Sequence, residues 1–398
     1  MRHILKNARL LPFLCGAGAP AYADIIIDHG VIDRILPAGE AETTGGEAVD
    51  CGGRTLLPGL IDAHMHFIMG PLEHETSEFA DEYFKLFMAG ARKARLLLEC
   101  GFTTVRDMAS SYGVANSIRD AAEEGLIDGP RIISAGHIIG ATEERKIVDK
   151  DHNVIADGCD ECRKAVRREI AHGADIIKIY NSTYPMRKNQ GIHPMYTPEE
   201  VRTFVSTAHS LGTYVGAHVY GSECVRMCLD AGVYTIEHGG GLDSACIEIL
   251  AKQQAFLIPT LAPNLLIENS TTYSQVAKDR YFNCLANEEN ISIRQAYQAG
   301  LKLGFGTDID IVELSENMGC EFLARKKYTG MSNRDMLLQA TRNNAQILKI
   351  DDLTGSVTEG LSADLILVDG DPEQDISVMT HKPLHVFFRG KRLAVQRV

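Results

Sequence analysis

From about Leu57 onward, short apolar runs rich in β-branched residues alternate with longer stretches whose apolar positions recur every three or four residues. The runs are "LIDAHMH", "FTTVRD", "RIISAG", "DIIKIY", "TYVGAH", "VYTIEH", "AFLIPTL" and "KLGFGTD", eight in all. Between them lie amphipathic segments such as "DEYFKLFMAGARKARLLLEC", "ECRKAVRREIAHG", "TPEEVRTFVSTAHSLG" and "NRDMLLQATRNNAQILK". Their spacing is helical, and each ends near Gly or follows a capping Thr, Ser, Asn or Asp. A strand-then-helix unit repeated eight times predicts an α/β fold, a (β/α)8 TIM barrel with parallel strands. The ends of the chain break this rhythm. Residues 1–56 read as strand and turn, and "GSVTEGLSADLILVDGDP" with "PLHVFFRGKRLAV" returns to that pattern. The expected organisation is a small β-sandwich domain formed from both termini, residues 1–56 and 351–398, around a barrel spanning 57–350.

Composition narrows the partners. A chain of 398 residues with 45% hydrophobic content can fill a large core and a smaller one. Its net charge of −13 comes without any Lys/Arg block, so nucleic acid is not an expected partner and a small-molecule substrate is. No apolar run is long enough to cross a bilayer, and no membrane association is expected. "MRHILKNAR", "LLPFLCGAG" and "AYA" mimic a signal peptide. Pro12 and the glycines interrupt the apolar part, and the segment reads better as two strands, "HILKNARLL" and "ADIIIDHGVIDRIL". Ten scattered cysteines suit reduced thiols in a cytoplasmic protein. Cys159/Cys162 and Cys224/Cys228 have suggestive spacings but no second pair to complete a zinc site, and read as ordinary thiols. The sequence leaves homo-oligomerisation open.

The chemistry lies at the strand ends, which in such a barrel form the face where active sites are built. His64 and His66 lie one residue apart in "LLPGLIDAHMHF", so on an extended strand both point to one side. Alone, that pair is equally what a half-buried strand with satisfied histidines would show. Lys178 lies in the second half of the fourth run, and His218 ends the fifth, His238 the sixth and Asp308 the eighth. Several polar residues closing otherwise apolar strands are much harder to explain one by one than as a single site.

This order, with "GFTTVRDM", "TIEHGG", "IPTL" and "SADLILVDGDP", resembles the metal-dependent amidohydrolase superfamily over essentially the whole chain. "GFTTVRD" and "HVYG" look closest to the branch of Xaa-Pro and Xaa-Arg dipeptidases, ochratoxinase-type amidases and imidazolonepropionase-like proteins. The resemblance implies two divalent metal ions, with Zn2+ best suited to neutral imidazoles and carboxylates. His64, His66 and Asp308 would hold one ion, and His218 and His238 the other. Lys178 would bridge them as a CO2-derived carbamate, the carboxylated lysine of the binuclear members. It also implies a metal-bridging hydroxide as nucleophile and Asp308 as the catalytic group that takes its proton and passes it to the leaving group. Tyr220 in "HVYG" and His137 in "SAGHIIG" are nominated by the same resemblance as donors to the carbonyl oxygen.

Departures limit the transfer of substrate. The segment "GATEERKIVDKDHN" stands where relatives of that branch carry a Gly-Gly-His-like segment and "NSTYPMRKNQGIH" where they carry a small Gly-rich turn; their Arg145, Lys146, Arg187 and Lys188 could meet an anionic substrate group, although loop charges are usually just solvated. Gly221 occupies the position at which mononuclear deaminases of the superfamily carry Glu, which disfavours deamination. The reading is therefore hydrolysis of an amide C–N bond, in a dipeptide or N-acyl amino acid. Lactone, ester or cyclic-amide hydrolysis is the alternative, and a non-catalytic metal-binding scaffold the non-enzymatic one.

Overall fold

The computed structural model describes residues 2–42, 44–68, 79–142, 153–183, 191–253, 255–309 and 317–394, with side chains from residue 83 in the segment that starts at 79. Arg145, Lys146, Arg187 and Lys188 lie outside the described residues.

Both ends of the chain meet in one mixed sheet. Strands β1 (His3–Leu10), β2 (Tyr22–Asp28), β3 (Val31–Pro37), β4 (Glu47–Asp50) and β5 (Thr55–Pro58) come from the N-terminal part. Alternation along them places Leu5, Ile25 and Ile27 on one face and Ile4 and Ile26 on the other, each with its own apolar cluster. Nine central strands follow, and then β15 (Leu365–Val368), β16 (His385–Phe388) and β17 (Lys391–Leu393) return to the sheet. Its order is β17-β16-β15-β5-β1-β2-β3, with β4 also on β1.

The central strands are parallel and alternate with helices, the connection that parallel pairing requires. They are β6 (Leu60–Met65), β7 (Phe102–Asp107), β8 (Arg131–Ser134), β9 (Ile138–Gly140), β10 (Val154–Ile155), β11 (Ile177–Tyr180), β12 (Val215–Val219), β13 (Thr235–His238) and β14 (Phe256–Ile258). β6-β7-β8 pair in order, as do β10-β9-β11-β12-β13-β14. The third apolar run supplies β8, which pairs with β7, and the chain breaks after it before β9 pairs with β11. Gly136 lies at the break with φ 67°, a backbone angle that suits glycine.

The eighth run, around Gly304–Asp308, is extended but makes only an isolated bridge, Leu257 to Leu303, instead of a strand. Its backbone still bonds both neighbours: Gly304 N donates to Leu257 O (2.9 Å), Ala63 N to Phe305 O (2.8 Å) and Thr307 N to His64 O (3.0 Å). The regular ladder is lost because the Asn344 side chain inserts, accepting from Phe305 N (2.9 Å) and donating to Ile61 O (2.7 Å) and Phe305 O (2.8 Å). No helix of the described residues is long and apolar enough to cross a membrane.

Candidate metal centre

Five of the six expected ligands are buried at one end of these strands. His64, His66, Lys178, His218 and His238 are at most 6% exposed. Asp308 closes the eighth run, its position fixed by donation of its N–H to His64 O (2.8 Å). Its carboxylate faces three of the histidines: Oδ1 is 3.3 Å from His66 Nε2 and 3.6 Å from His64 Nε2, and Oδ2 is 3.7 Å from His238 Nδ1. The ligand atoms of His64, His66 and Asp308 all fall within 4.8 Å of one another. Zinc bonds of about 2.0–2.2 Å at tetrahedral angles separate donor atoms by roughly 3.3–3.6 Å, so this spacing fits a divalent ion.

Each of three imidazoles uses Nδ1 for a protein partner. His64 Nδ1 donates to Glu237 Oε2 (2.7 Å), His66 Nδ1 to Ala109 O (2.5 Å), and His238 Nδ1 bonds Thr260 Oγ1 (2.7 Å). That fixes which nitrogen remains for an ion. His64 Nε2 and His238 Nε2 are buried with no hydrogen-bond partner among the described residues, an arrangement that is costly unless something binds there. Burial pushes His238 down to about 3 and His64 well below its ordinary range, so both stand as neutral ligands. Backbone strain gathers at the same place. Ala109 (φ 89°), His238 (φ 67°) and Asp308 (φ 50°) are left-handed, a conformation that non-glycine residues keep when the surroundings enforce it.

Lys178 projects into the same interior from β11. Burial lowers its ammonium to about 8, against the pull of Glu237 and Asp308 and with Arg106 adding to the depression. His218 and His238 have ring centroids 4.5 Å apart, and His64 and His238 4.8 Å. Tyr220, 6% exposed, stacks on His238 (5.4 Å, 10°) and meets His218 edge-on (5.1 Å, 77°). It therefore joins the cluster. His137 lies at the break between β8 and β9, with Nδ1 on Glu169 Oε2 (2.9 Å).

A second layer escaped the sequence reading. Arg106 and Glu237 are both fully buried inside the parallel strands, where Arg106 Nη2 donates to Glu237 Oε1 (2.9 Å) and Oε2 (3.0 Å). Glu237 thus carries His64 on one side and an arginine on the other. Asp62 accepts from Thr307 Oγ1 (2.6 Å), Thr307 N (3.1 Å) and His64 N (3.0 Å), tying the eighth run to the first strand. The available signal was a charge placed inside an otherwise apolar strand, in "FTTVRD", "TIEH" and "LIDAHMH".

The chain as a whole is similar to known proteins. The chain is 27% identical to ochratoxinase of Aspergillus niger over 367 residues, covering 84% of this chain and 75% of that one. It is 22% identical to imidazolonepropionase of Rhizobium rhizogenes over 435 residues, covering 98% and 97%. Among solved structures, a Xaa-Pro dipeptidase with methionine bound in its active site superposes with TM-score 0.86 at 27% identity, covering 99% and 100%. The profile of the amidohydrolase family matches residues 55–393, nearly the whole chain and every candidate ligand, and the protein is an enzyme belonging to that family.

Proposed function

We propose that this enzyme hydrolyses an amide bond of a dipeptide or N-acyl amino acid at a binuclear centre, on a (β/α)8 barrel over residues 57–350 joined to a β-sandwich of 1–56 and 351–398. The observation that carries this reading is the convergence of the Asp308 carboxylate on His64, His66 and His238. His64, His66 and Asp308 would hold one divalent ion and His218 and His238 a second, with Lys178 as the bridging residue. Zinc fits the donor set. Bound there, such ions supply a water that ionises near neutral pH and an electrophile for the substrate carbonyl.

The chain's own groups do the rest. A lysine lowered to about 8 is partly an uncharged amine near neutral pH, and its nitrogen can attack CO2 and lose a proton to give a carbamate. Asp308 takes up the proton of the attacking water and delivers it to the departing nitrogen, a transfer that amide cleavage needs more than ester cleavage does. The Tyr220 phenol and His137 Nε2 donate to the carbonyl oxygen as negative charge develops on it. The likeness to ochratoxinase and to a Xaa-Pro dipeptidase supports an acyclic amide. The likeness to imidazolonepropionase favours, as the second reading, opening of a cyclic amide.

The test is kcat/KM of the zinc-reconstituted enzyme on a dipeptide, its C-terminal amide, an aryl ester of matched size and a cyclic amide, with elemental analysis of the same sample. Dipeptide turnover with two ions per chain is expected. Turnover of the ester alone, or full activity with one ion, overturns the proposal.

A further inference from the structure

Glu289 is a buried acid beside the candidate metal centre, and the protein uses one of its two oxygens. It lies in the first turn of the helix Asn287–Gln298 and is 2% exposed. Oε2 accepts from Asn264 Nδ2 (3.0 Å), and Asn264 Oδ1 in turn accepts from Tyr281 Oη (2.6 Å), which ties the helix to the segment after β14. Oε1 is buried with no hydrogen-bond partner among the described residues. The tie itself needs a single acceptor, which a glutamine would supply without bringing a charge into the interior. A carboxyl group whose second oxygen is taken out of water and given nothing in return has the form of a binding group that awaits its ligand.

Its neighbours come from the ends of the strands that carry the candidate ligands. Gly239 and Gly240 follow directly on His238, and a Cβ on Gly240 would lie 2.9 Å from Tyr220 Cδ1 and 3.3 Å from Glu289 Cβ. Glu289 and Tyr220 thus meet across a residue without a side chain, and Tyr220 is the ring that stacks on His238. Gly241 N and Leu242 N donate to Ser292 Oγ (3.0 Å each) on the same helix, and Gly221 N donates to Gly240 O (2.8 Å). The turn that carries Glu289 is therefore fastened to the segments after β12, β13 and β14. It follows a π-helical turn, Phe282–Ala286, whose Leu285 and Ala286 pack with Tyr220 and Tyr281; such widened turns recur at functional sites. The charge of Asp308 also reaches Glu289 and opposes its ionisation.

A donor that carries positive charge would complete Oε1 and offset the repulsion from Asp308. We propose that Glu289 is a specificity-determining residue whose Oε1 receives a cationic nitrogen of the substrate, an ammonium or guanidinium group. In the empty site burial raises the carboxyl to about 8, so near neutral pH it holds a proton; the cation takes that place, the proton leaves to solvent, and no other bond changes. The inference rests on the amide-hydrolysis reading, which offers two sources of such a nitrogen. One is the α-ammonium of an N-terminal residue, on the acyl side of the scissile bond. The other is a basic side chain on the residue that departs.

Two pairs of substrates, given to the full-length zinc-reconstituted enzyme, separate the sources. Alanyl-leucine against propionyl-leucine removes only the α-ammonium, and propionyl-lysine against propionyl-norleucine removes only the side-chain ammonium. The ratio of kcat/KM within each pair is measured for the wild type and for Glu289→Gln, whose amide oxygen still accepts from Asn264 but carries no charge. The wild type is expected to prefer the cationic member of one pair, and the variant to lose about tenfold or more of that preference, as for loss of a hydrogen bond to a charged group. An effect in the first pair places the cation on the acyl side and one in the second on the departing side; either supports the proposal. Equal preference in both proteins overturns it. So does a wild type that prefers the cation in neither pair, a result that needs no variant. If the wild type hydrolyses none of these amides, the amide reading fails on its own and binding decides. Both proteins are then titrated calorimetrically with lysine, norleucine and hexanoate, which lose the two ammonium groups one at a time from the same carbon chain. A step in affinity present in the wild type and lost in the variant supports the role of Glu289; the same steps in both, or no binding, overturns it.

Discussion

Glu237 shows how one side chain couples stability to ligand geometry. It accepts from His64 Nδ1 and forms a two-point contact with Arg106, and all three residues are essentially sealed from water. Glu237→Gln leaves a guanidinium buried without its counter-charge, so we expect a loss on the order of 3–5 kcal/mol in urea unfolding. Zinc affinity should also fall by roughly 10–100-fold, because the second-layer acceptor orients the imidazole. An unchanged zinc affinity in the folded variant would separate the two roles and reject the second. Glu289 makes a different statement. Burial raises its carboxyl to about 8, opposed by a hydrogen bond from Asn264 and increased by the charge of Asp308. With the folded value above the unfolded one, the native state holds a proton that the unfolded chain has already released. Its stabilising contribution is complete below the ordinary range near 4.5 and is lost as pH rises toward 8. Glu289→Gln, neutral throughout, should melt near wild type at pH 5 and above it at pH 9, by an amount equivalent to about 1–3 kcal/mol. A difference that does not change with pH would contradict this.

At the scale of elements, the proposed ligands depend on how closely the eighth run approaches β6. A Cβ on Gly306 would sit 2.6 Å from His64 Cβ and 3.2 Å from His64 N, and one on Gly304 would meet Ile258 Cδ1 at 2.3 Å. Gly306→Ala must therefore displace either a metal-ligand strand or the segment carrying Asp308. We expect a cost of about 1–3 kcal/mol from overpacking, with weakened zinc binding measured by competition with a chelator. Intact zinc affinity would show that the segment yields elsewhere. The same region marks how far sequence reasoning reached. His64, His66, Lys178, His218, His238 and Asp308 could be picked out as candidates because a polar residue in an otherwise apolar strand stands out against its neighbours. The irregular path of the eighth run was not, because it depends on Asn344, 39 residues from Phe305. The split after Ser134 was hidden for a similar reason: Gly136 gives way to Glu169, which lies on a later helix. Arg106 and Glu237 were visible as charges inside strands, but only their pairing across β7 and β13 gives them a role.

Across the whole molecule, the two ends of the chain hold the candidate metal centre in place. β5 pairs with β15 through Leu365–Pro58, Ile366–Leu57, Leu367–Leu56 and Val368–Thr55, and with β1 through Arg9–Thr55 and Leu10–Leu56. Gly59 alone separates β5 from β6, where His64 lies, and a Cβ there would come within 2.1 Å of Thr103 Oγ1. The N–H of Gly59 is also bound, to Asp364 O (2.8 Å). There is no slack through which a disturbance of the terminal sheet could be absorbed before it reaches the first ligand strand. Deleting residues 356–398 would strip β15 from β5, expose Leu56 and Leu57, and remove the buried Leu365, Leu367, Val386 and Phe387. A ligand that binds only the native state raises stability by RT ln(1 + [L]/Kd), about 4 kcal/mol at a thousandfold excess over Kd. Saturating zinc should therefore raise the melting midpoint of the full chain by several degrees, and Asp308→Ala should lose much of that rise. In the deletion variant, the rise and the single cooperative transition should disappear together. If the truncated protein still binds zinc stoichiometrically and its midpoint responds as the full chain's does, the terminal sheet is an appendage and the coupling through Gly59 is wrong.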